Sequence, residues 1–368
     1  MWPSHIEPES LWLIGSIVFV LGVASLVGFW LKRRLDTGLD PEIVGHFHRR
    51  VRVYWIMCAV LATTILLNYI ATVVLFGFLS FWALREFITL TPTRRGDHRG
   101  LFWAFFVFTP LQYVLVGFNL TLVYTVFIPA FACLYLAARG AIAGDSKRFL
   151  ERTAKTQAGL LICVYCLSFA PALLTHELPR RVEAISEDDG KEAAANAPPE
   201  GKPSAGQATM PTPAQRARLL FFFVVIAQLS EIMEYVWSRM APSRPIAAEI
   251  NPAKTWGGFL GGVLSAAVLG ALFSVSTWPF TGSWAIAPFT PWEAAALSAV
   301  VGAVGLAGGL TMSAIKRDRG VRDFGTLVVG HGGVLDRIDA LCFAAPVFFF
   351  LTRLLIWRMP ECTAKLPW

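Results

Sequence analysis

The chain has 368 residues, of which 55% are hydrophobic and only 15% charged, with a formal net charge of +7. Soluble domains carry about 25% charged residues, so the polar surface is too small to coat a globule of this size, and a water-soluble enzyme is excluded. The basic excess does not call for nucleic acid: Lys and Arg cluster between apolar runs in LKRRLD (31–36), HFHRRVR (46–52) and TRRGDHR (93–99), as they do in cytoplasmic loops of membrane proteins.

Roughly 20 apolar residues cross a hydrocarbon core about 30 Å thick. The pattern predicts an all-α polytopic membrane protein of about ten helices, at 11–31, 53–68, 70–84, 101–117, 119–137, 156–174, 218–237, 257–275, 294–312 and 340–356. The first run is followed, not preceded, by Lys32-Arg33-Arg34, which argues for a retained helix with its N-terminus outside rather than a cleaved signal peptide. Residues 53–84 read either as one long tilted helix or as a hairpin turning near Asn68-Tyr69. The hairpin keeps both flanking basic clusters on one side. Counting onward puts 32–52, 85–100, 138–155, 238–256 and 313–339 in the cytoplasm, so every dense basic loop falls inside.

Cys163 and Cys166 lie one turn apart in an apolar run, with no second pair to complete a zinc site, and read as packing residues. Residues 176–216 are rich in Ala, Pro, Gly and charge, with almost no aromatic or β-branched residues. Such a stretch buries too little apolar area to offset chain entropy. It is expected to be a disordered outer linker between an N-terminal part of about six helices (1–175) and a C-terminal part of about four (217–368).

Three C-terminal segments carry unusual polarity. In QLSEIMEYVWSR (228–239), Glu231 and Glu234 are three apart and share a helical face, with Tyr235 beside Glu231. Two acids at a membrane boundary call for a cation or a water-filled cavity, or else they reach headgroup water. In INPAKTWGGFLGG (250–262), Asn251 is expected to cap a helix with Pro252 at its first position. That places Lys254 in the first turn, where an anion on the free amides would favour it; otherwise Lys254 snorkels beside a glycine packing face. Residues 313–339, SAIKRDRGVRDFGTLVVGHGGVLDRID, interleave basic and acidic residues around glycines. Phosphate with a divalent cation satisfies both signs at once.

This last segment resembles the signature of the phosphatidate cytidylyltransferases, the CDP-diacylglycerol synthases. Ser313, Lys316, Arg317, Asp323, His331, Gly332, Gly333, Asp336, Arg337 and Asp339 fall at matching spacing, while Arg322 stands for the usual Lys and Val329 for the usual Pro. Pro252, Lys254, Thr255, Trp256 and Gly258 are similar to the family's second motif, with Asn251 replacing Ser. Glu231 stands where relatives have Asp, four residues before Tyr235. Leu84-Arg85-Glu86-Phe87 and Asp97-His98-Arg99 look like a milder N-terminal counterpart. One departure is large: relatives carry Gly-Asp before the signature serine, and this chain reads Gly308-Gly309.

The resemblance implies transfer of CMP from CTP to phosphatidate, yielding CDP-diacylglycerol and pyrophosphate for phospholipid synthesis, at the cytoplasmic side of a bacterial inner membrane. It implies a catalytic set of Lys316, Arg317, Asp323, His331, Asp336 and Asp339. Substrate binding falls to Lys254, Thr255, Ser313, Arg322, Arg337 and Tyr235, and Mg2+ to Asp336, Asp339 and Glu231. Arg337 alternatively pairs with Asp323 or Asp339. The expected partners are CTP, phosphatidate and membrane lipids, without nucleic acid, and a homodimer is one expected assembly. Two rivals remain: a silent relative that binds nucleotide or lipid, and a transporter. Transporters gather polar groups near the bilayer midplane, whereas here they gather at one face.

Overall fold

The computed structural model describes residues 69–90, 94–175, 213–241, 243–274, 289–321, 323–325 and 333–357. Eight helices among them are long and apolar enough to cross a membrane: α1 (Tyr69–Thr89), α2 (His98–Gly117), α3 (Thr121–Ile142), α4 (Phe149–Thr175), α5 (Pro213–Met240), α6 (Trp256–Ser274), α7 (Pro291–Asp318) and α8 (Leu335–Trp357). The chain is a polytopic membrane protein. Each helix overlaps one of the last eight expected spans. The expected helices 11–31 and 53–68 lie outside the described residues, as does most of the expected linker, although α5 already begins at Pro213.

Local sequence explains the limits of α7. Thr290 caps its start: the Thr290 hydroxyl accepts from the Glu293 N–H at 3.4 Å, the Glu293 carboxylate accepts from the Thr290 N–H at 2.9 Å, and Pro291 fills the first position, a reciprocal capping box. At the other end Gly320 takes φ +70°. The Gly320 N–H donates to the Arg317 carbonyl and the Val321 N–H to the Lys316 carbonyl, both at 3.0 Å. This glycine-terminated Schellman end stops the helix just past Lys316 and turns the chain back toward the bundle.

α6 reverses the pattern of a soluble amphipathic helix. Its buried positions are Gly258, Gly262, Ala266 and Gly270, whereas Trp256, Leu260, Leu264, Val268 and Leu272, also four apart, are exposed. In lipid, the apolar side chains gain nothing by turning inward, so small residues face the neighbouring helices and backbones approach closely. The expected close approach at Gly257, Gly258, Gly261 and Gly262 is present: a Cβ at Gly262 would come within 3.1 Å of the Glu234 backbone, and one at Gly261 would strike the Trp237 ring. α5, α6 and α7 thereby form a tight three-helix unit, which α8 joins.

One core runs through both halves of the chain. Tyr124 of α3 and Phe169 of α4 meet Phe349 of α8, with ring centroids 6.4 Å and 5.1 Å away. α2, α3 and α4 each include a wider π-helical segment, at Ala104–Phe108, Phe127–Ala132 and Leu161–Cys166. Cys163 is buried and Cys166 half-buried, in keeping with a packing role, and neither is disulfide-bonded.

The polar connections after α1, α3, α5 and α7 meet at one end of the bundle. Arg94 pairs with Asp145 at 3.2 Å, Arg152 with Asp97 at 3.5 Å, and Arg319 with Glu151 at 3.7 Å. Arg317 donates to the Ile250 carbonyl at 3.2 Å. Hydrogen bonds from Arg152 and then Arg94 hold the Asp145 carboxyl down at about 2. The sequence argument put all four connections on the same side, and they are on the same side.

Candidate active site

Between α5 and α6 the chain makes a short antiparallel hairpin, β1 (Pro245–Ala247) and β2 (Asn251–Thr255). This corrects the expectation that Asn251 begins a helix. Its Oδ1 instead accepts the Ala253 N–H at 3.2 Å, a local turn that competes with helix. Its amide nitrogen donates to Ser313 Oγ at 3.3 Å, tying the hairpin to α7. The Ser313 hydroxyl itself donates to the Gly309 carbonyl at 2.7 Å.

α6 starts at Trp256, capped by its own approach. The Gly258 N–H donates to Thr255 Oγ1 at 3.1 Å and the Gly257 N–H to Ser243 Oγ at 2.6 Å. Those two amides are therefore satisfied by hydroxyls, and the helix start at Pro252, whose free amides were expected to hold an anion, is replaced by a strand. Lys254 lies on the strand, before the helix.

The position on β2 aims Lys254 into the bundle. Its Nζ donates to Glu234 Oε2 of α5 at 2.9 Å, and Glu234 is only 8% exposed. The same ammonium lies 3.0 Å from where a Cβ at Gly309 would stand, and Asp339 Oδ2 lies 3.9 Å from that point. Gly309 thus leaves open the space between a lysine and a carboxylate. A larger residue there would meet both.

Lys316, on the last turn of α7, donates to Asp336 Oδ1 at 2.9 Å and lies 5.4 Å from the centre of the Phe324 ring. Asp336 Oδ2 accepts the N–H groups of Phe324 at 2.8 Å and Gly333 at 2.9 Å. One carboxylate therefore fastens together the two sides of the signature loop. Asp339, one turn further along α8, interacts electrostatically with Lys316, Lys254 and Asp336, and its Oδ1 accepts the Ala340 N–H at 2.8 Å.

The remaining expected residues are distributed less tightly. Glu231 lines a narrow gap between α5, α6 and α7 with Ser230, Glu234, Gly262 and Gly302. Tyr235 faces outward beneath Arg239, 5.7 Å from ring centre to guanidinium carbon. Thr255 is buried and 3.2 Å from Ser238 Oγ. Arg337 is half-buried on the first turn of α8, and Asp323 is exposed. Arg322 and His331 lie outside the described residues.

Among the described residues, no three His, Cys, Asp or Glu side chains are grouped to hold a metal ion, so Glu231 does not complete a triad with Asp336 and Asp339. Those two aspartates share a helical face and supply hard oxygen donors. Magnesium commonly takes one or two carboxylates and fills its other positions with waters and substrate phosphates. Asp336 and Asp339 are the residues that would hold such an ion.

The sequence argument quoted Glu86 as part of a milder N-terminal counterpart but gave it no role at the site. Glu86 of α1, 5% exposed, accepts the N–H groups of Val334 at 3.0 Å and Leu335 at 2.9 Å, and Trp82 Nε1 at 3.2 Å. An Arg85-Glu86 pair near the end of a largely apolar helix was the available signal.

These motifs lie within a match to the cytidylyltransferase family model that spans residues 48–355. The chain belongs to this family, and with it to the membrane-embedded nucleotidyltransferases. Over 340 residues it is 29% identical to the Escherichia coli (strain K12) protein YnbB, described as uncharacterized, covering 92% of this chain and 97% of that one. It is 35% identical over 133 residues to the phosphatidate cytidylyltransferase of Haemophilus influenzae and 42% identical over 114 residues to that of Synechocystis. Those alignments cover 36% and 30% of this chain and 44% and 34% of the relatives.

Proposed function

We propose that the chain transfers CMP from CTP to phosphatidate at the cytoplasmic face of a bacterial inner membrane, releasing pyrophosphate. The observation that carries this reading is the meeting of Lys254 and Lys316 around Asp339, with Asp336 beside them, at the polar end of the bundle. Two ammoniums with three carboxylates, Glu234 included, within a membrane protein suit a polyphosphate with a divalent cation better than they suit an apolar or neutral ligand. The names of the partial relatives support the substrate pair.

In the proposed reaction, a phosphatidate oxygen forms a bond to the α-phosphorus of CTP as the bond to the bridging oxygen of the β-phosphate breaks. Phosphatidate is already anionic, so no general base is required. Such transfer depends on in-line positioning and charge neutralisation. Lys254 and Lys316 hold phosphate oxygens after exchanging their carboxylate partners, and Arg317 and Arg322 would bind the leaving pyrophosphate or the lipid phosphate. Ser313 and Thr255 are hydroxyl donors, and His331 is a further donor. Tyr235 and Arg337 are further substrate-binding residues in this reading. A magnesium ion on Asp336 and Asp339 would screen the nucleotide phosphates.

One observation favours a second reading, a relative that binds nucleotide or lipid without turnover: Gly309 provides no carboxylate, and Lys254 is engaged by Glu234 instead. One measurement separates the two. α-Labelled CTP, supplied with phosphatidate and Mg2+ to the purified protein in mixed micelles, should pass into chloroform-extractable lipid. Retention of all label in the aqueous phase, while CTP still binds, would establish the silent relative.

A further inference from the structure

The geometry points to Glu86 as a positioning residue of the active-site loop, by which the N-terminal half of the chain sets the conformation of the C-terminal half. The inference rests on the proposed transfer reaction for its kinetic consequence, and on hydrogen bonds alone for its structural one.

Glu86 stands on the last turn of α1, where the dipole of its own helix disfavours an anion. It is nevertheless buried. What compensates is α8, whose first amides point at it across 248 residues of sequence: Val334 N–H to Oε1 and Leu335 N–H to Oε2. Trp82, one turn earlier on α1, supplies a third donor to Oε1. The carboxylate thus occupies the positive end of α8, where a substrate phosphate would otherwise bind, and leaves phosphate to the lysines.

Two glycines of the signature loop are explained by the same contact. A Cβ at Gly333 would collide with Glu86 Oε2, and one at Gly325 would come within 2.9 Å of Oε1. Both positions lack side chains because the carboxylate lies against their backbones. Asp336 fastens Phe324 to Gly333 from one side, and Glu86 fastens the next two amides from the other. The position of Lys316 relative to Asp339 depends on both clamps.

The test uses the full-length protein with Glu86→Gln, Glu86→Ala, Gly333→Ala and the Glu86→Ala/Gly333→Ala double variant. Glutamine keeps the volume and one acceptor but sets an N–H against one backbone N–H. Hydrogen exchange in micelles should accelerate at Val334 and Leu335 in both Glu86 variants and remain unchanged in the first turns of α1. Turnover with CTP and phosphatidate should fall at least about tenfold while the KM for CTP stays within about threefold, the split expected of positioning rather than of binding. Gly333→Ala should be as damaging as Glu86→Ala, and the double variant little worse than either, since removing the carboxylate makes room for the methyl group.

Unaltered exchange at 334–335, or additive losses in the double variant, would overturn the clamp. A Glu86→Ala protein that does not fold leaves Glu86→Gln and Gly333→Ala to decide by exchange. If the parent transfers no label, the substrate reading fails instead, and the exchange data and the melting temperatures of the four proteins still decide the clamp.

Discussion

The Lys254 ammonium lies 2.9 Å from the Glu234 carboxylate and 3.0 Å from the point where a side chain at position 309 would begin. The missing acid of the family pattern therefore has a neighbour that already supplies negative charge, delivered from α5 across the interface rather than from α7. Gly309→Asp should draw Lys254 away from Glu234 and lower the Mg2+ concentration needed for half-maximal label transfer, or create transfer where the parent has none. The Mg2+ titration of the parent and variant checks this, and an unmoved midpoint in an active parent would mean that Glu234 already fills the role.

Glu234→Gln follows from the same pair. Removing one member of a buried ion pair destabilises by about 3–5 kcal/mol because the other charge is left without compensation. The expected result is a markedly lower melting temperature in detergent, recovered in the Glu234→Gln/Gly309→Asp double variant, where Lys254 regains a partner. Absence of that recovery would refute the exchangeability of the two acids.

Lys316→Met and Lys254→Met retain the apolar stem and remove the charge. Each loses about one charge-assisted hydrogen bond to phosphate, about 1.5–3 kcal/mol, or roughly 10- to 100-fold in kcat/KM. A fall in kcat would place the contact at the transferring phosphorus, and a rise in KM alone would indicate uniform binding. Unchanged kinetics in both would leave the lysines with packing roles only.

Asp336→Asn is informative because asparagine keeps one acceptor oxygen for the Phe324 and Gly333 amides while losing the charge that pairs with Lys316. Label transfer should vanish in a protein that inserts and purifies normally. Near-normal transfer at ordinary Mg2+ would remove Asp336 from the reaction.

Deleting about residues 185–212 should leave transfer intact, since shortening a loop changes its closure entropy only slowly. The assay is the same label transfer in membranes expressing the shortened chain. Loss of activity in a folded deletion protein would assign that stretch a role in the reaction.

The placement of the eight described helices was legible because apolar runs of spanning length are a strong signal, and charge placement grouped the right loops. The hairpin at 245–255 was not: Asn-Pro suits a helix start as well as a strand, and the choice was made by Ser313 and Ala253, which bond to Asn251. The pairing of Lys254 with Glu234 was equally hidden, although each residue was singled out, because the sequence places them on different elements without a relative orientation. Glu86 was hardest to assign. Its partners are backbone amides of a helix far along the chain, and a backbone amide leaves no mark in the sequence.

The ion pairs at Lys254 and Lys316 make the resting site behave like a charged ion exchanger. Any phosphate that binds these lysines must evict a carboxylate, and each evicted carboxylate then stands in a poorly hydrated setting without its counterion. A cation arriving with the nucleotide settles both deficits at once, whereas the free nucleotide settles neither. Nucleotide and metal affinities should therefore be mutually reinforcing, with bare CTP held weakly and its cation complex held well.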